Sequence, residues 1–482
     1  MRKIGLIASD SSEGSAEVIL QEGEEGRVEV ETLVLVENRS SRVLGVLRTG
    51  RGFNEGLRVG AYRPGVAYAK RGGTPPASRE VFSFNLAVIG KVTEAGIEPN
   101  REILAPRSVV KVFEPEDKPN PMEYLAQGKK VLWFGHYVGY EGWRIPADPN
   151  FIPYHIGVFG ATGSGKSYLT RCALLGLLND AGYRVLVLDW SGADYAPDAE
   201  VKESISNMAL DEEVVVNYLA KKARYFGHKK QWDDSLIREA LEDFVGEDWV
   251  NKVSKLKSAE RLKLEFENHM RSRIEAIINE DKRQRGLRSR LERGLKRLTQ
   301  ETFQQVMGRK RPKDLLEQLK GITVLNMSEA GSDEKLSFFI SLADHLLNYL
   351  QKMKPEEKLN LALVIDEAPQ YAPWSPEGLQ ADATDRIKDL CALGRKHGLC
   401  MVLISQGIAG DIGINAAVRR NLNTFFFGSI HPLDMEEAKK WLEPYGIPVS
   451  SLLQLKPGQF YFSGKMNPSP IPLLMTFTPK GS

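Results

Sequence analysis

Residues 156–167 read IGVFGATGSGKS, an apolar segment followed by a glycine-rich loop that ends in Lys166 and Ser167. The loop matches the P-loop pattern G-x-x-x-x-G-K-S, and the stretch 168–178 that follows it has the apolar pattern of a helix. A strand, a glycine-rich loop and a helix N-terminus in this order form a phosphate-binding site. The segment is therefore predicted to bind a nucleotide.

The loop residues have predicted roles in binding ATP and Mg²⁺. The glycines allow the backbone to wrap around a phosphate with its N–H groups pointing inward, and the helix N-terminus adds partial positive charge. Lys166 is expected to reach the β- and γ-phosphates, and Ser167 is expected to bind Mg²⁺. The predicted nucleotide-binding residues are Gly160, Thr162, Gly163, Ser164, Gly165, Lys166 and Ser167.

A second apolar segment, 361–365, ends in the acid pair Asp366 and Glu367. Asp366, at the C-terminal edge of this strand, is predicted to bind in the Mg²⁺ shell, and Glu367 to orient and deprotonate the attacking water. The pair favours hydrolysis over transfer to a small acceptor. The long segment between Lys166 and Asp366 also argues against a P-loop kinase.

Two other strand ends carry polar residues. Gln406 follows the strand 400–404, which is expected beside the strand of Asp366, so its amide is predicted to sense the γ-phosphate or position the water. Asp189 ends the strand 185–188, and two interpretations remain open: a structural carboxylate, or one that polarises water or contacts Mg²⁺.

A hydrolase of this type needs extra positive charge at the transition state, often from an arginine of a neighbouring subunit. Arg395, between a helical segment and the strand 400–404, is the first candidate for this role. Arg419 and Arg420 are the rival candidates. The alternative for Arg395 is a surface charge near a helix C-terminus.

Length and composition limit the classes to which the chain can belong. With 482 residues and a net charge of +2, it is expected to form two or three domains, and any basic surface must be local. Three cysteines without zinc-ligand spacing predict a reducing, cytoplasmic setting. No apolar stretch approaches the ~18 residues of a membrane span, so no membrane association is expected.

The chain divides by pattern into a β-rich part, an α/β part and a helical insertion. Short strands separated by Gly, Asn and Pro predict a small N-terminal β-barrel. Near-continuous apolar runs, including 424–427 and 460–462, predict a parallel sheet covered on both faces. The predicted divisions are 1–115, the barrel; 116–204, a linker and the first part of the ATPase domain; 205–318, the helical insertion; and 319–482, the second part with a C-terminal tail.

The insertion contains a basic amphipathic helix. Leu287, Leu291, Leu295 and Leu298 recur at helical spacing, and the stretch 282–297 is rich in Lys and Arg. Its charges are either a solvated helix face or a contact to DNA or a partner protein.

Several segments together resemble the HerA-type hexameric DNA translocases, which are relatives of the FtsK-like ATPases. The similar segments are GATGSGKS (160–167), VLVLDWSG (185–192), VIDEAP (364–369), GRKHGLCMVLISQ (394–406) and Asn423–Thr424. The resemblance implies an α/β fold, with a RecA-like P-loop motor domain, an N-terminal small β-barrel and a helical insertion. By matching position it implies Lys166 and Ser167 for phosphate and Mg²⁺, Asp366 and Glu367 as the acid pair, Gln406 as sensor and Arg395 as the arginine acting in trans.

The function implied by the resemblance is ATP-driven translocation or unwinding of double-stranded DNA by a homo-hexamer. It also implies a NurA-type nuclease partner in DNA end resection and repair, with the barrel as its expected docking domain. The alternatives are an ATP-gated scaffold and another P-loop enzyme, such as a DNA-packaging or conjugation-type ATPase. DNA-stimulated ATPase activity would separate the motor from the scaffold.

The chain departs from the family pattern at two places. The family usually continues Ser-Gln with Arg-Pro, whereas Gly407 and Ile408 follow here. It also tends to place Arg-His before the P-loop strand, where this chain has Tyr154 and His155. Arg144 is a candidate substitute for the arginine that is absent at position 154.

Overall fold

A computed structural model describes residues 1–58, 64–73, 80–227 and 235–479. The strands in its N-terminal part are β1 Arg2–Ile7, β2 Ser15–Leu20, β3 Leu33–Asn38, β4 Ser41–Asn54, β5 Glu80–Thr93, β6 Gly96–Glu98 and β7 Val109–Val112. They follow the order β2-β1-β7-β3-β4-β5, and a pairing of β2 with β5 closes the barrel. The predicted small barrel is confirmed, and a short helix, α1 Pro64–Lys70, lies between β4 and β5.

The described residues from 132 onward form a second sheet of eleven strands. Its members are β8 Leu132–Tyr137, β9 Tyr140–Ala147, β10 Ile156–Phe159, β11 Arg184–Asp189, β12 Val201–Ser204, β13 Ile322–Asn326, β14 Leu361–Ile365, β15 Leu399–Ser405, β16 Thr424–Phe427, β17 Phe460–Gly464 and β18 Leu473–Thr476. Their order is β12-β13-β11-β14-β15-β10-β16-β17-β18-β8-β9. The strands from β12 to β16 in this order run parallel. The α/β fold predicted for this part of the chain is confirmed.

The prediction that residues 460–462 complete a parallel sheet is wrong. β17 pairs antiparallel with β16, and the sheet continues through the antiparallel strands β18, β8 and β9. Phe460, Tyr461 and Phe462 of β17 are buried, as a strand covered on both faces requires. Burial on both faces produces a continuous apolar run whatever the strand direction, so the run could not indicate the direction.

Helices cover the sheet and form the insertion. They are α2 Pro121–Ala126, α3 Lys166–Leu169, α4 Leu175–Asp180, α5 Glu212–Lys222, α6 Ser235–Val245, α7 Trp249–Leu256, α8 Ala259–Glu280, α9 Gly286–Leu295, α10 Gln300–Gln305, α11 Pro312–Glu317, α12 Ser332–Lys352, α13 Leu379–Gly394, α14 Ala416–Arg419 and α15 Met435–Leu442. A π-turn over Thr170–Leu174 joins α3 and α4 into one P-loop helix. Helices α5 to α11 lie in the segment predicted as the helical insertion.

The insertion has a hydrophobic core of its own. The predicted stripe of Leu287, Leu291, Leu295 and Leu298 is buried in this core, where α9 packs against α8 and against the turn Arg224–Gly227. The basic residues of 282–297 are exposed, and two of the charges along this stretch are paired with α8, as Arg288–Glu275 and Arg271–Glu292. Both interpretations of the basic stretch therefore remain open.

The barrel packs directly onto the sheet through buried contacts. Tyr461 donates a hydrogen bond of 3.0 Å from its hydroxyl to Glu31 Oε1, and the Tyr137 hydroxyl donates one of 2.6 Å to the Glu31 carbonyl. Arg48 pairs with the Glu31 carboxylate and donates to the Pro472 carbonyl at 2.7 Å. Barrel residues and sheet residues also share one hydrophobic cluster. The barrel and the sheet are thus joined by a common core.

Candidate nucleotide-binding site

The P-loop follows β10, at the centre of the sheet between β15 and β16. Gly163 and Gly165 have φ values of 81° and 95°, which lie in the left-handed region that favours glycine. At Gly160 a Cβ atom would lie 2.6 Å from Ser164 Oγ, so the loop has no room for a side chain there. Helix α3 begins at Lys166. The predicted strand, loop and helix are all present.

The loop presents groups that suit a triphosphate. Ser164 Oγ is buried and has no hydrogen-bond partner among the described residues, so its hydroxyl is available to an anionic oxygen. Lys166 Nζ donates to the Ala161 carbonyl at 3.1 Å, within the same loop. Burial lowers the pKa of Lys166, while the carboxylates of Glu367 and Asp366 act in the opposite direction.

The Ser167 hydroxyl donates a hydrogen bond of 2.9 Å to Asp194 Oδ2. Asp194 lies in the loop after β11 and borders the same cavity as Ser167 and Asp366. Hydroxyl and carboxylate oxygens are the ligands that Mg²⁺ prefers, so these three residues suit that ion. The sequence analysis did not predict Asp194, because it considered only Asp189, at the end of the same strand. A second acid in the loop after this strand was the feature that could have indicated a metal ligand.

Asp189 has a structural role. Its side chain is fully buried, and Oδ1 accepts hydrogen bonds from Gly192 N at 2.8 Å and from the Ser191 hydroxyl at 3.2 Å. Oδ2 accepts a third from Tyr195 N at 3.3 Å. These contacts shape the loop that carries Asp194, so Asp189 positions another acid.

Glu367 and Gln406 are in direct contact. Gln406 Nε2 donates a hydrogen bond of 2.7 Å to Glu367 Oε1, and Gln406 Oε1 accepts one of 2.9 Å from the Thr162 hydroxyl. The contact follows from the pairing of β14 with β15, as the sequence predicted. The resulting relay joins the P-loop to the acid pair. Burial, and then the Glu367 charge, raise the pKa of Asp366 to about 7.

Arg395 lies beside the N-terminal end of the central strand β15, whereas the nucleotide cavity lies at the C-terminal ends of the parallel strands. It precedes the first residue of β15, whereas Gln406 follows the last, and a strand of this length spans ~20 Å. The Arg395 guanidinium stands 4.8 Å from the centre of the Tyr154 ring, and Lys465 Nζ stands 4.6 Å from the same ring. Arg395 therefore does not join the nucleotide cavity of its own chain.

The rival arginines differ in their contacts. Arg419 pairs with Glu437 at 3.0 Å and lies 5.4 Å from the centre of the Trp374 ring, so its side chain is held in place. Arg420 is exposed. Arg144 lies on the edge strand β9, where it donates to the Trp133 carbonyl at 2.7 Å. It does not take the place of an arginine at position 154.

Both departures from the family pattern, Tyr154 and the residues after Gln406, can be placed in the structure. The Tyr154 ring contacts Arg395 and Lys465 as described above. The next residue, His155, agrees with the family pattern and is held by two hydrogen bonds. His155 Nε2 donates to the Cys391 carbonyl at 2.9 Å and Nδ1 accepts from Met401 N at 3.2 Å, which fixes the neutral tautomer. Burial lowers the pKa of His155 to about 4. After Gln406, the buried Asp434 Oδ1 accepts hydrogen bonds from Ile408 N at 2.9 Å and Ala409 N at 3.1 Å. A proline at position 408 would have no N–H for this contact.

The comparisons with known proteins show a similarity over the middle of the chain. Residues 132–346 match a family model described as "Helicase HerA, central domain". None of the curated proteins matches the chain. Among the described residues, no helix is both long and apolar enough to cross a membrane.

The solved structures that match the chain are distant in sequence. VirB4 of Thermoanaerobacter pseudethanolicus is 14% identical with a TM-score of 0.47, and the match covers 73% of this chain and 97% of that one. Plasmid coupling protein TrwB in complex with ADP and Mg²⁺ is 16% identical, with a TM-score of 0.43 and coverages of 70% and 88%. The genome packaging NTPase B204 from Sulfolobus turreted icosahedral virus 2 is 13% identical, with a TM-score of 0.31 and coverages of 68% and 98%.

The matched region begins at β8, includes the P-loop and the helical insertion, and ends within α12. It contains Lys166, Ser167 and Asp194. Glu367 and Gln406 lie beyond it: Glu367 follows β14, which pairs with β11, and Gln406 follows β15, which pairs with β10. The match agrees with the resemblance of the sequence segments: over residues 132–346 the chain is similar to the central domain of HerA-type helicases.

Proposed function

We propose that this chain hydrolyses ATP with Mg²⁺ and uses the reaction to move along or unwind double-stranded DNA as a homo-hexamer. The observation that supports hydrolysis most directly is the relay from Thr162 through Gln406 to Glu367. It links a phosphate-binding loop to a carboxylate that can act as a base. Translocation, the six-fold ring and a NurA-type nuclease partner in end resection and repair are supported by the family alone.

The residues have distinct roles in this mechanism. Lys166 and the loop N–H groups would bind the phosphates, and Ser167 and Asp366 would hold Mg²⁺ with Asp194 beside them. When bound, Mg²⁺ neutralises charge on the phosphate oxygens. Glu367 accepts a proton from the attacking water. Gln406 orients the Glu367 carboxylate and detects the γ-phosphate.

Arg395 is proposed to act on the nucleotide of a neighbouring subunit. Its position at the opposite sheet edge excludes its own nucleotide, and among the described residues no acid pairs with it. Its Nε atom is buried without a hydrogen-bond partner in the same part of the chain. A guanidinium in this state suits an external anion. Lys465, on the same Tyr154 ring, adds positive charge to this edge.

The barrel is proposed to dock the partner nuclease and to help hold the ring together. The pairing of β2 with β5 closes the barrel, so its loops and outer face are the surfaces available to a partner protein. The cysteines are free thiols, and Cys391 and Cys400 are buried, which supports the proposed reducing, cytoplasmic setting.

The test measures ATPase rate with and without double-stranded DNA, together with particle mass. We expect stimulation by DNA and a mass of six chains, with Lys166→Ala as the inactive control. ATP hydrolysis that DNA leaves unchanged would favour the ATP-gated scaffold, in which case the motor function is wrong. A rate equal to that of Lys166→Ala would contradict the ATPase assignment itself.

A further inference from the structure

Asp434 is a buried acid that the proposed mechanism does not use. It is 2% exposed and ends a short turn, Pro432–Asp434, between β16 and α15. Its Oδ1 atom accepts the hydrogen bonds from Ile408 N and Ala409 N, whereas its Oδ2 atom is buried without a hydrogen-bond partner among the described residues. A buried oxygen without a partner lowers the stability of the folded chain. The carboxylate is therefore expected to have a function that offsets this loss, and its two bonds indicate where that function lies.

The two N–H groups that Asp434 binds lie in the segment 406–413, which we name the sensor loop, because its first residue is the proposed sensor Gln406. The loop is tightly folded, since a Cβ atom on Gly407 would lie 2.5 Å from Ile412 Cγ1 and 2.9 Å from the Ile412 carbonyl oxygen. The arginine that the family pattern has at position 407 would not fit there, and a proline at position 408 would lack the N–H that Asp434 binds. The residues that depart from the family pattern in this loop are therefore matched to Asp434.

The segment that carries Asp434 is also bound to the P-loop. Ser429 follows β16 and accepts, through its carbonyl, a hydrogen bond of 2.6 Å from Ala161 N inside the P-loop. Further along the same segment, the N–H of Asp434 donates to the His431 carbonyl at 2.9 Å. The segment 429–434 therefore contacts the P-loop at one end and, through the Asp434 side chain, the sensor loop at the other.

We propose that Asp434 is a positioning residue for ATP hydrolysis and acts through Gln406. By binding two N–H groups of the sensor loop, it fixes the backbone beside Gln406, whose side chain bridges the Thr162 hydroxyl and the Glu367 carboxylate. The proposal rests on the proposed hydrolysis of ATP and adds a residue that no sequence motif indicated. Asp434 is not among the described residues that border the nucleotide cavity, so its removal is expected to lower the rate of hydrolysis and not the nucleotide affinity.

The flexibility of a glutamine side chain explains why this anchor matters. Glutamine can adopt many rotamers, and the relay from Thr162 to Glu367 uses one of them. Movement of the sensor loop would shift the start of this side chain, so that its two hydrogen bonds would lengthen or break. A misplacement of ~1 Å can lower the rate of an enzyme ~100-fold, so a small movement of the loop is enough for a measurable effect.

The test is a double-mutant cycle in which the ATPase kcat is measured for Asp434→Ala, for Gln406→Ala and for the double variant. Asp434→Ala alone is expected to lower kcat about tenfold and to leave the affinity for the non-hydrolysable ATP analogue AMP-PNP unchanged. In the Gln406→Ala chain the same substitution is expected to have no further effect on kcat, because the side chain through which Asp434 acts is already absent. A role in general stability would instead lower the rate in both chains.

Two further variants separate the hydrogen bonds of Asp434 from its volume. Asp434→Asn keeps an oxygen that can accept from both N–H groups and is expected to retain most of the activity. The side chain in Asp434→Ser is too short to reach both groups, so this variant repeats the test if Asp434→Ala does not fold. Asp117→Ala is the matched control, expected to keep the parent kcat: the Asp117 carboxylate also accepts from a backbone N–H, that of Glu114 at 2.7 Å, but does not border the nucleotide cavity.

Amide hydrogen exchange tests the anchor without ATP hydrolysis. Exchange over the sensor loop is expected to be faster in Asp434→Ala than in the parent chain and in Asp117→Ala, because the two N–H groups lose their acceptor. Exchange in α8, which packs in the core of the insertion, is expected to stay unchanged and thereby to show that the variant is folded. Sensor-loop exchange in Asp434→Ala that equals that of the parent chain would overturn the anchor.

Three kinetic outcomes would overturn the positioning role. They are a kcat in Asp434→Ala equal to that of the parent chain, an equal fold-loss with and without Gln406, and a loss of AMP-PNP affinity as large as the loss of kcat. Failure of the proposed function looks different: the parent chain would hydrolyse ATP no faster than Lys166→Ala, while sensor-loop exchange would still respond to Asp434→Ala. That result would overturn the hydrolytic role of Asp434 together with the ATPase assignment and would leave only its contact with the sensor loop.

Discussion

Gln406 Nε2 lies 2.7 Å from Glu367 Oε1, and the same amide group accepts a hydrogen bond from Thr162 on the P-loop. The two bonds fix the orientation of the amide, because its oxygen faces a hydroxyl donor and its nitrogen faces a carboxylate. A change at the phosphate loop can thus reach the proposed catalytic base through one side chain.

Glu367→Gln is expected to bind ATP and to hydrolyse it ~10²–10⁴-fold more slowly, because the amide keeps the shape of the side chain but cannot accept the proton. The variant still offers an oxygen to Gln406, so the relay survives. Nucleotide affinity by calorimetry and single-turnover hydrolysis are the measurements. A collapse of nucleotide affinity would show instead that Glu367 acts in binding.

Gln406→Ala is expected to lower the hydrolysis rate ~10–100-fold, the loss of one hydrogen bond to a charged group, with a smaller effect on ATP affinity. The proposed cause is that the Glu367 carboxylate is no longer held toward the water. Gln318→Ala, an exposed glutamine after α11 in the insertion, is the matched control. A rate equal to that of the control would contradict the sensor role.

Arg395 can be tested in trans by mixing two inactive chains, Lys166→Ala and Arg395→Ala. If Arg395 acts on the neighbouring nucleotide, mixed rings contain interfaces with an intact P-loop on one side and an intact Arg395 on the other. Partial ATPase activity should then return on mixing and fall again when either chain is in large excess.

The matched control repeats the mixing experiment with the Arg419→Ala chain in place of the Arg395→Ala chain. Arg419 is already engaged by Glu437 and Trp374, so this variant alone is expected to keep its hydrolytic activity. Mixtures of the Lys166→Ala and Arg395→Ala chains that stay inactive, although native mass measurements show mixed rings, would contradict a role in trans.

Local sequence was enough to single out residues that the structure brings together where they belong to one short segment or to neighbouring strands. The P-loop glycines and the acids after β14 belong to short strand-to-loop segments, and the pairing of β14 with β15 brings Gln406 to Glu367. The sequence could not indicate contacts between distant segments. Gly458 meets Ser164 only because β17 and β18 fold beside β16, and the antiparallel direction of β17 leaves no mark on its apolar pattern.

The segment that follows the barrel is a second place where local sequence did not indicate a contact between distant parts of the chain. The Pro-containing segment predicted as a linker includes α2, whose Met122 and Leu125 are fully buried in the core shared with the sheet. Proline is frequent in linkers and also at the first position of helices, as at Pro121, so the prolines alone do not separate the two. The Asn120 cap with Glu123 three residues later was the local signal of a helix. Deletion of 1–115 would expose this core, and point variants on the outer barrel surface are the better test of nuclease docking.

The stability of the chain is expected to fall with decreasing pH through His155. The pKa of this buried imidazole is lowered from 6.5 to about 4, so the unfolded chain binds a proton between these values that the folded chain does not. Stability from the neutral imidazole is therefore complete above pH 6.5 and is lost as the pH falls from 6.5 toward 4. The whole contribution is about 3 kcal/mol.

His155→Asn removes the titrating group, so its unfolding free energy should be lower near pH 7 and should fall less steeply between pH 6.5 and 4 than that of the parent chain. Urea unfolding at several pH values measures both slopes, with His136→Asn as the control for a half-buried histidine on β8. Parallel pH curves for the parent chain and His155→Asn would show that the pKa of the imidazole is the same in the folded and unfolded chains, which would contradict the lowered pKa. The folded protein would then accept a proton on His155 below about pH 6.5. The hydrogen bond from Met401 N to Nδ1 would be lost at that pH, because a protonated Nδ1 cannot accept.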